Sequence, residues 1–170
     1  MRKVLFASLV SLAVVVTAQT AKASAYNVGL GVAAGADLQR GEIPEKTTKP
    51  SWGFFVDIPL MQTFYITPQT TIYEVDGGID GKTKTTITDI DLNFKFLVPI
   101  DALTLGAGIS AGVTTGFGDY QGHYGLLGYV GFNVVANLDA FAMLQFKRVD
   151  NDDQRIDNYH GFVGGMWKFQ

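Results

Sequence analysis

Two histidines, His123 and His160, are the only imidazoles in a chain with no cysteine. Thiol catalysis, cysteine metal sites and disulfide staples are therefore excluded at the outset. A histidine activates a serine only when serine, imidazole and carboxylate lie within hydrogen-bond reach of one another. Past residue 25 the serines are Ser51 and Ser110, and neither neighbours a histidine along the chain. His123 reads as a loop residue beside Tyr120 and Tyr124, and His160 as a hydrogen-bonded structural residue. Asp150, Asn151, Asp152, Asp153 and Asp157 supply the clustered oxygens that calcium takes, but without the fixed spacing of a calcium loop, so a solvated loop is the better reading. Asp139 and Lys168 are expected to meet as a structural ion pair, because either charge alone would be costly away from water. Gly106-Ala107-Gly108 sits inside a strand pattern and carries no phosphate-loop meaning. No catalytic residue, cofactor or metal site is predicted.

What must position these groups is an alternating chain. From Thr88 to Val98, Ile90, Leu92, Phe94, Phe96 and Val98 fall on one side, and Asp89, Asp91, Asn93 and Lys95 on the other. Successive strand residues point to opposite faces of a sheet, so this is a strand with one apolar and one charged face. In a soluble barrel the apolar face is the core; in a membrane barrel it meets lipid and the polar face lines the lumen.

Met1-Arg2-Lys3, an apolar run from about Val4 to Ala18 and the site Ala23-Ser24-Ala25 have the order of a cleaved secretory signal peptide, so residues 1–25 are read as export signal and 26–170 as the folded domain. Removing Arg2, Lys3 and Lys22 leaves 10 Lys+Arg against 16 Asp+Glu. An acidic chain without a basic block is a poor nucleic-acid binder, and none is expected as partner. Past the signal no apolar run nears the roughly 20 residues of a membrane helix, whereas barrel strands need only about 9–11.

Eight strands follow: 26–36, 51–59, 63–73, 88–98, 103–114, 124–135, 138–148 and 158–169. The third is blurred by Pro68, which cannot donate to a ladder and marks a bulge or weakly paired position. The connections alternate, about 14, 3, 9, 4, 9, 2 and 9 residues. That is the asymmetry of an up-and-down outer-membrane barrel, with long external loops and short periplasmic turns. The short turn Pro99–Ala102 would set Lys95 opposite Gly106, Asn93 opposite Gly108 and Asp91 near Ser110. Closing strand eight on strand one would bring Met166 near Gly29 and Phe162 near Ala33. Large residues thus face small ones, as a barrel just wide enough to be filled by side chains requires.

The polar faces carry Asp57, Asp89, Asp91, Asn93, Lys95, Asp139, Gln145, Lys147, His160 and Lys168, read as a structural lumen network. A soluble calycin-type barrel would show the same alternation. Export without disulfides, glycine concentrated on the polar face, and aromatics near the ends of the apolar rows (Tyr26, Trp52, Phe132, Tyr159, Trp167, Phe169) favour lipid outside.

The closing Gly164-Gly165-Met166-Trp167-Lys168-Phe169 resembles the C-terminal assembly signal of bacterial outer-membrane proteins, carried here by Gly164, Trp167 and Phe169; Phe162 stands where that signal is often polar, and Gln170 follows the final aromatic. The whole strand plan resembles the OmpA/OmpX-type and Opa-like eight-stranded barrels. The resemblance implies an all-β, eight-stranded antiparallel transmembrane barrel in the outer membrane. It implies outer-membrane lipid, lipopolysaccharide, the barrel assembly machinery and an unidentified surface partner as its contacts. A non-catalytic role is expected, in envelope integrity or in surface interaction through loops at 37–50, 74–83, 115–123 and 149–157. The rival roles are a small-solute channel, a lipid A-modifying enzyme and a soluble lipid-binding barrel. The lipid A deacylase pattern would place a serine two residues beyond His160, where this chain has Phe162.

Overall fold

A computed structural model describes residues 27–41, 48–75, 84–116, 120–151 and 154–169. The expected signal peptide and Tyr26 lie outside these described residues. Eight strands run in chain order: β1 (Gly29–Gly41), β2 (Thr48–Pro59), β3 (Phe64–Val75), β4 (Thr85–Ile100), β5 (Leu103–Thr115), β6 (Gln121–Val135), β7 (Leu138–Asn151) and β8 (Gln154–Lys168). Each pairs antiparallel with its sequence neighbour, and β1 pairs with β8 to close the barrel. Closure leaves no sheet edge, so every strand has a partner on both sides.

The side assignment follows the alternation. Asp91 and Lys95 are buried while Ile90, Leu92 and Phe96 are exposed, and Leu144 is 73% exposed. The interior holds the charges and the exterior holds the aliphatic and aromatic rows, the reverse of a soluble protein. From Tyr159 to Phe169 is ten residues along the last strand. At ~3.4 Å per residue and a tilt of ~40° this spans about 26 Å of membrane normal, the height of the apolar band of outer-membrane barrels.

Two corrections concern length and register. The strands reach further outward than the apolar pattern alone indicates. β7 runs to Asn151 and β8 begins at Gln154, so the stretch expected as a loop at 149–157 is mostly a paired ladder, with Asp150 opposite Arg155 and Asn151 opposite Gln154. Likewise 37–41 and 48–50, Glu74–Val75 and 121–123 belong to strands. These segments are polar because they project beyond lipid, and backbone pairing holds them without an apolar face.

The second correction is a two-residue register shift. β4 continues through Pro99 and Ile100, and only Asp101 and Ala102 form the turn. Asp101 adopts φ 52, a positive value that Asp tolerates and tight hairpins demand. Lys95 therefore faces Gly108, Asn93 faces Ser110 and Asp91 faces Gly112. At the closing seam Met166 pairs with Gly31 and Phe162 with Gly35. An even shift leaves every side chain on its expected face. Met166 still reaches Gly29, its sulfur 2.8 Å from where a Cβ there would stand.

At Pro68 the β2–β3 ladder lapses: pairing runs from Ser51↔Tyr73 to Phe55↔Gln69 and resumes at Ile58↔Ile66. The β3–β4 ladder runs through Pro68 without interruption.

Candidate functional site

The lumen is filled in tiers, and the size alternation of facing strands makes the room. At the outer tier Lys147 of β7 reaches across to β4, its Nζ 2.9 Å from Asp89 Oδ2 and 2.6 Å from Asp91 Oδ2. Asp89 Oδ1 also accepts from Thr114 Oγ1 at 2.8 Å. His123 lies here, with Nε2 2.6 Å from Asp91 Oδ1 and Nδ1 2.9 Å from Thr114 Oγ1. The loop placement expected for His123 is thus corrected: it is an inward residue of β6, opposite Gly112. That glycine is what admits the ring, since a Cβ on it would stand 2.8 Å from His123 Nε2. His160 is buried nearby, its Nδ1 3.3 Å from Asp37 and its Nε2 3.6 Å from Asp89.

A layer of amides lies beneath. Asn93 donates to Gln69 Oε1 at 2.7 Å, and Gln69 donates to Gln145 Oε1 at 2.9 Å. Gln145 donates in turn to Ser110 Oγ at 3.1 Å and Asn93 Oδ1 at 3.2 Å, and Ser110 donates to Asp91 at 3.0 Å. Asn93 also donates to the Thr67 carbonyl at 3.2 Å, beside the lapse in the β2–β3 ladder. Next comes the Lys95–Asp57 pair at 2.6 Å, with Thr67 donating to the same carboxylate at 2.7 Å. Around it stand packed rings: Phe55 meets Phe141 and Phe162 edge-on at 5.5 and 5.9 Å, and Tyr129 stacks on Phe141 at 5.5 Å. Phe162, apolar where the assembly signal is often polar, fills space that Gly35 and Gly53 leave open. At the periplasmic end Lys168 pairs with Asp139, and Asn133, next to a bulge in β6, donates to the same acid at 2.8 Å. The cavity at this mouth has a volume of ≈ 30 Å³, room for about two water molecules.

Nine of the ten residues expected in the lumen network join hydrogen bonds or ion pairs with one another or with Gln69, Ser110, Thr114 and His123, which that set did not include; His160 is buried beside Asp37 and Asp89 without a hydrogen bond to either. Tyr73 joins them, its hydroxyl 3.5 Å from Asp89, and Asn158 donates to that hydroxyl at 3.3 Å. The inward parity of β3 was hidden by Pro68 and the Thr70-Thr71 pair; alternation counted backward from Tyr73 would have found Gln69, Thr67 and Tyr65. Ser110, Asp91 and His123 do converge, but with the carboxylate in the middle. The serine gives its proton to Asp91 and makes no bond to the imidazole, so the order that activates a nucleophile is not present.

The remaining sites are on the outside. Among the aromatics, Trp52, Tyr159, Trp167 and Phe169 are exposed and Phe132 is half-buried. Tyr159 lies one outward position below Asp157, and Trp52 faces Ile72, one outward position below Glu74. Gly164 is packed against β1 so closely that a Cβ would meet the Val32 carbonyl. Asp157, expected in an acidic loop, is a β8 residue that accepts from Arg148 Nε at 2.8 Å. Asp152 and Asp153 lie outside the described residues.

Neither a protein-family model nor a curated protein matches this chain. Solved structures do. The neisserial surface protein A aligns with a TM-score of 0.69 at 14% identity, covering 84% of this chain and 97% of that one. Ail, the attachment invasion locus protein of Yersinia pestis, aligns at 0.54 and 11% identity over 85% of this chain and 99% of its own. A de novo designed transmembrane β-barrel aligns at 0.51 with 5% identity, covering 88% and 100%.

The fold is that of the eight-stranded transmembrane barrels with which it aligns. The agreement at such low identity is one of architecture, and the apolar exterior supplies the physical reason. A closed sheet satisfies every backbone group within the bilayer, and the exposed rows match the lipid that surrounds such a barrel. The closed sheet with its apolar exterior is the architecture of a barrel that spans a membrane.

Proposed function

We propose that this barrel is a non-catalytic outer-membrane protein that acts as a sealed, lipid-anchored stalk. It contributes to envelope integrity or to surface interaction through its outer strand extensions and their tips. The observation that carries this reading is the filled lumen. The outer lysine–carboxylate cluster, the amide layer and the ring cluster follow one another down the lumen, and among the described residues they fill the path a solute would take. The surface reading rests on β1, β2, β7 and β8, whose polar ends project past the apolar band. These ends are rich in acid: Asp150, Asp152, Asp153 and Asp157 against Arg148 and Arg155 in the last hairpin. Such tips suit cations, cation-bridged lipopolysaccharide or a basic partner. The similar Ail has been solved with a heparin analogue, sucrose octasulfate; the acid excess here argues for a ligand of opposite charge. The assembly machinery would read the last strand through Gly164, Trp167 and Phe169, with the aromatic ends anchoring the barrel in lipid.

Planar-bilayer recording of the purified protein tests the seal. Silent membranes at pH 6–7 are expected, and steady unitary conductance would replace this reading with the channel. Lipid A altered by overexpression and restored by His160→Ala would replace it with the enzyme.

A further inference from the structure

We infer that the lipid-facing groove over Pro68 is a docking surface for a second copy of this chain, closed by two symmetry-related hydrogen bonds from Thr70 of one copy to the Val56 carbonyl of the other. The acceptor follows from the ladders. Leu97 N donates to Thr63 O, so odd-numbered residues along β3 turn their backbone groups to β4 and even-numbered ones to β2. The N–H that Pro68 lacks is therefore one that belonged to the β2 side. Pairing between β2 and β3 stops after Phe55↔Gln69 and resumes at Ile58↔Ile66 with its register unchanged, which sets Val56 opposite Pro68. The Val56 carbonyl is left without its ladder donor. Thr67, turned the other way, keeps its place in the β3–β4 ladder, and its carbonyl also accepts from Asn93 Nδ2 at 3.2 Å.

That carbonyl stands at hydrocarbon depth. The outward row to which it belongs climbs around the barrel from Trp167 through Leu30, Val56, Pro68 and Leu92 to Tyr124, and Val56 and Pro68 fall near its middle. An unpaired backbone acceptor is costly where there is no water, and the hydrocarbon chains of lipid carry no donor to offer it. The groove over Pro68, with a volume of ≈ 390 Å³, holds a donor of its own. Thr70 is the next outward residue of β3, and within one chain it stands against Phe54 and Ile90, not Val56. Phe54, on the rim of the groove, is 52% exposed. One patch therefore carries a donor, an acceptor, a hollow and a projecting ring. Such a surface is self-complementary, and a two-fold axis satisfies both acceptors at once while each Phe54 packs into the partner's hollow. Close packing and hydrogen bonds are what drive association inside a membrane, where burial from water contributes nothing.

The chain has no cysteine, so single cysteines report proximity without background. Ile90→Cys lies on the rim of the groove, and Leu144→Cys lies on β7 across the barrel; both native residues are exposed. In the full chain refolded into vesicles and oxidised with copper–phenanthroline, Ile90→Cys should give disulfide-linked dimers at lipid dilutions where Leu144→Cys stays monomeric. Pro68→Val returns the missing N–H to Val56, and Thr70→Val removes the donor. Either change, added to Ile90→Cys, should lower the dimer association constant about tenfold, the worth of two hydrogen bonds of the size measured inside membranes. Equal yields from the two cysteines, or an Ile90→Cys yield that neither addition alters, overturns the inference. A protein that is monomeric at every dilution, its groove covered by lipid alone, overturns it as well. Heat-modifiable mobility of the same samples reports separately whether each barrel has folded into lipid, so a failed pairing is told from a failed barrel. Should Pro68→Val and Thr70→Val both fail to fold, the comparison of the two cysteines decides alone.

Discussion

Lys147→Met removes one charge from the centre of the outer tier and keeps nearly all of the side chain's length and packing. Lys147 is fully buried, as are both of its carboxylate partners. The substitution leaves Asp89 with the Thr114 and Tyr73 hydroxyls and the His160 ring at 3.6 Å, and Asp91 with Ser110 and His123. Deleting one member of a buried pair costs about 3–5 kcal/mol because the remaining charge has no compensation. That is roughly a hundredfold to several thousandfold in the folding equilibrium. The apolar exterior is untouched, so insertion into lipid should proceed and the loss should appear in the urea midpoint of barrel refolded into vesicles, read by heat-modifiable gel mobility. Arg148→Met is the contrast, since its ion pair with Asp157 is partly open to water and such pairs contribute little; its midpoint should stay near that of the unaltered protein. Adding Asp89→Asn to Lys147→Met should recover part of the loss by removing the orphaned charge. A Lys147→Met barrel within about 1 kcal/mol of the unaltered one would refute the view that this tier depends on charge compensation.

Other perturbations test the exterior, the glycine spaces and the seam. Val163→Arg, on the lipid face four residues inside Tyr159, should cost about 2–4 kcal/mol, measured against Val163→Ala by the same refolding titration. Gly112→Ala places a methyl against the Ile90 carbonyl oxygen and 2.8 Å from His123 Nε2 and should cost about 1–3 kcal/mol through overpacking of the β4–β5 seam, read by the same urea midpoint. Phe169→Ala should leave refolding in vitro almost unchanged while lowering the amount of heat-modifiable barrel in cells several-fold, if the last strand is read during assembly. Equal losses in vitro and in cells would make Phe169 merely a membrane anchor.

The period-two pattern of the chain was sufficient to determine strand number, up-and-down order and, outside β3, which side chains share a face, because a strand has only two faces and seven connections of alternating length leave one simple closure. Asp91 and Lys95 could be set on the face opposite Ile90, Leu92 and Phe94 from alternation, and inward once the glycines of the polar faces and the aromatic ends favoured lipid outside. The pattern did not carry strand length. Beyond the lipid both faces are polar, so periodicity fades at Asn151 and Gln154 although the ladder continues. Nor did it carry register to within two residues, which the backbone of Asp101 decides in a tight turn. His123 was illegible for the same reason as the strand ends: it stands in Gln121–Tyr124, a polar run that reads as a loop until β5 is set beside it. That Asp89 and Asp91 share one lysine from β7, and that Gly112 opens space for an imidazole, depends on the curvature of the closed sheet, which brings strands β4 and β7 face to face across the lumen. Sequence specifies which residues enter that space; only the closed barrel specifies which of them meet.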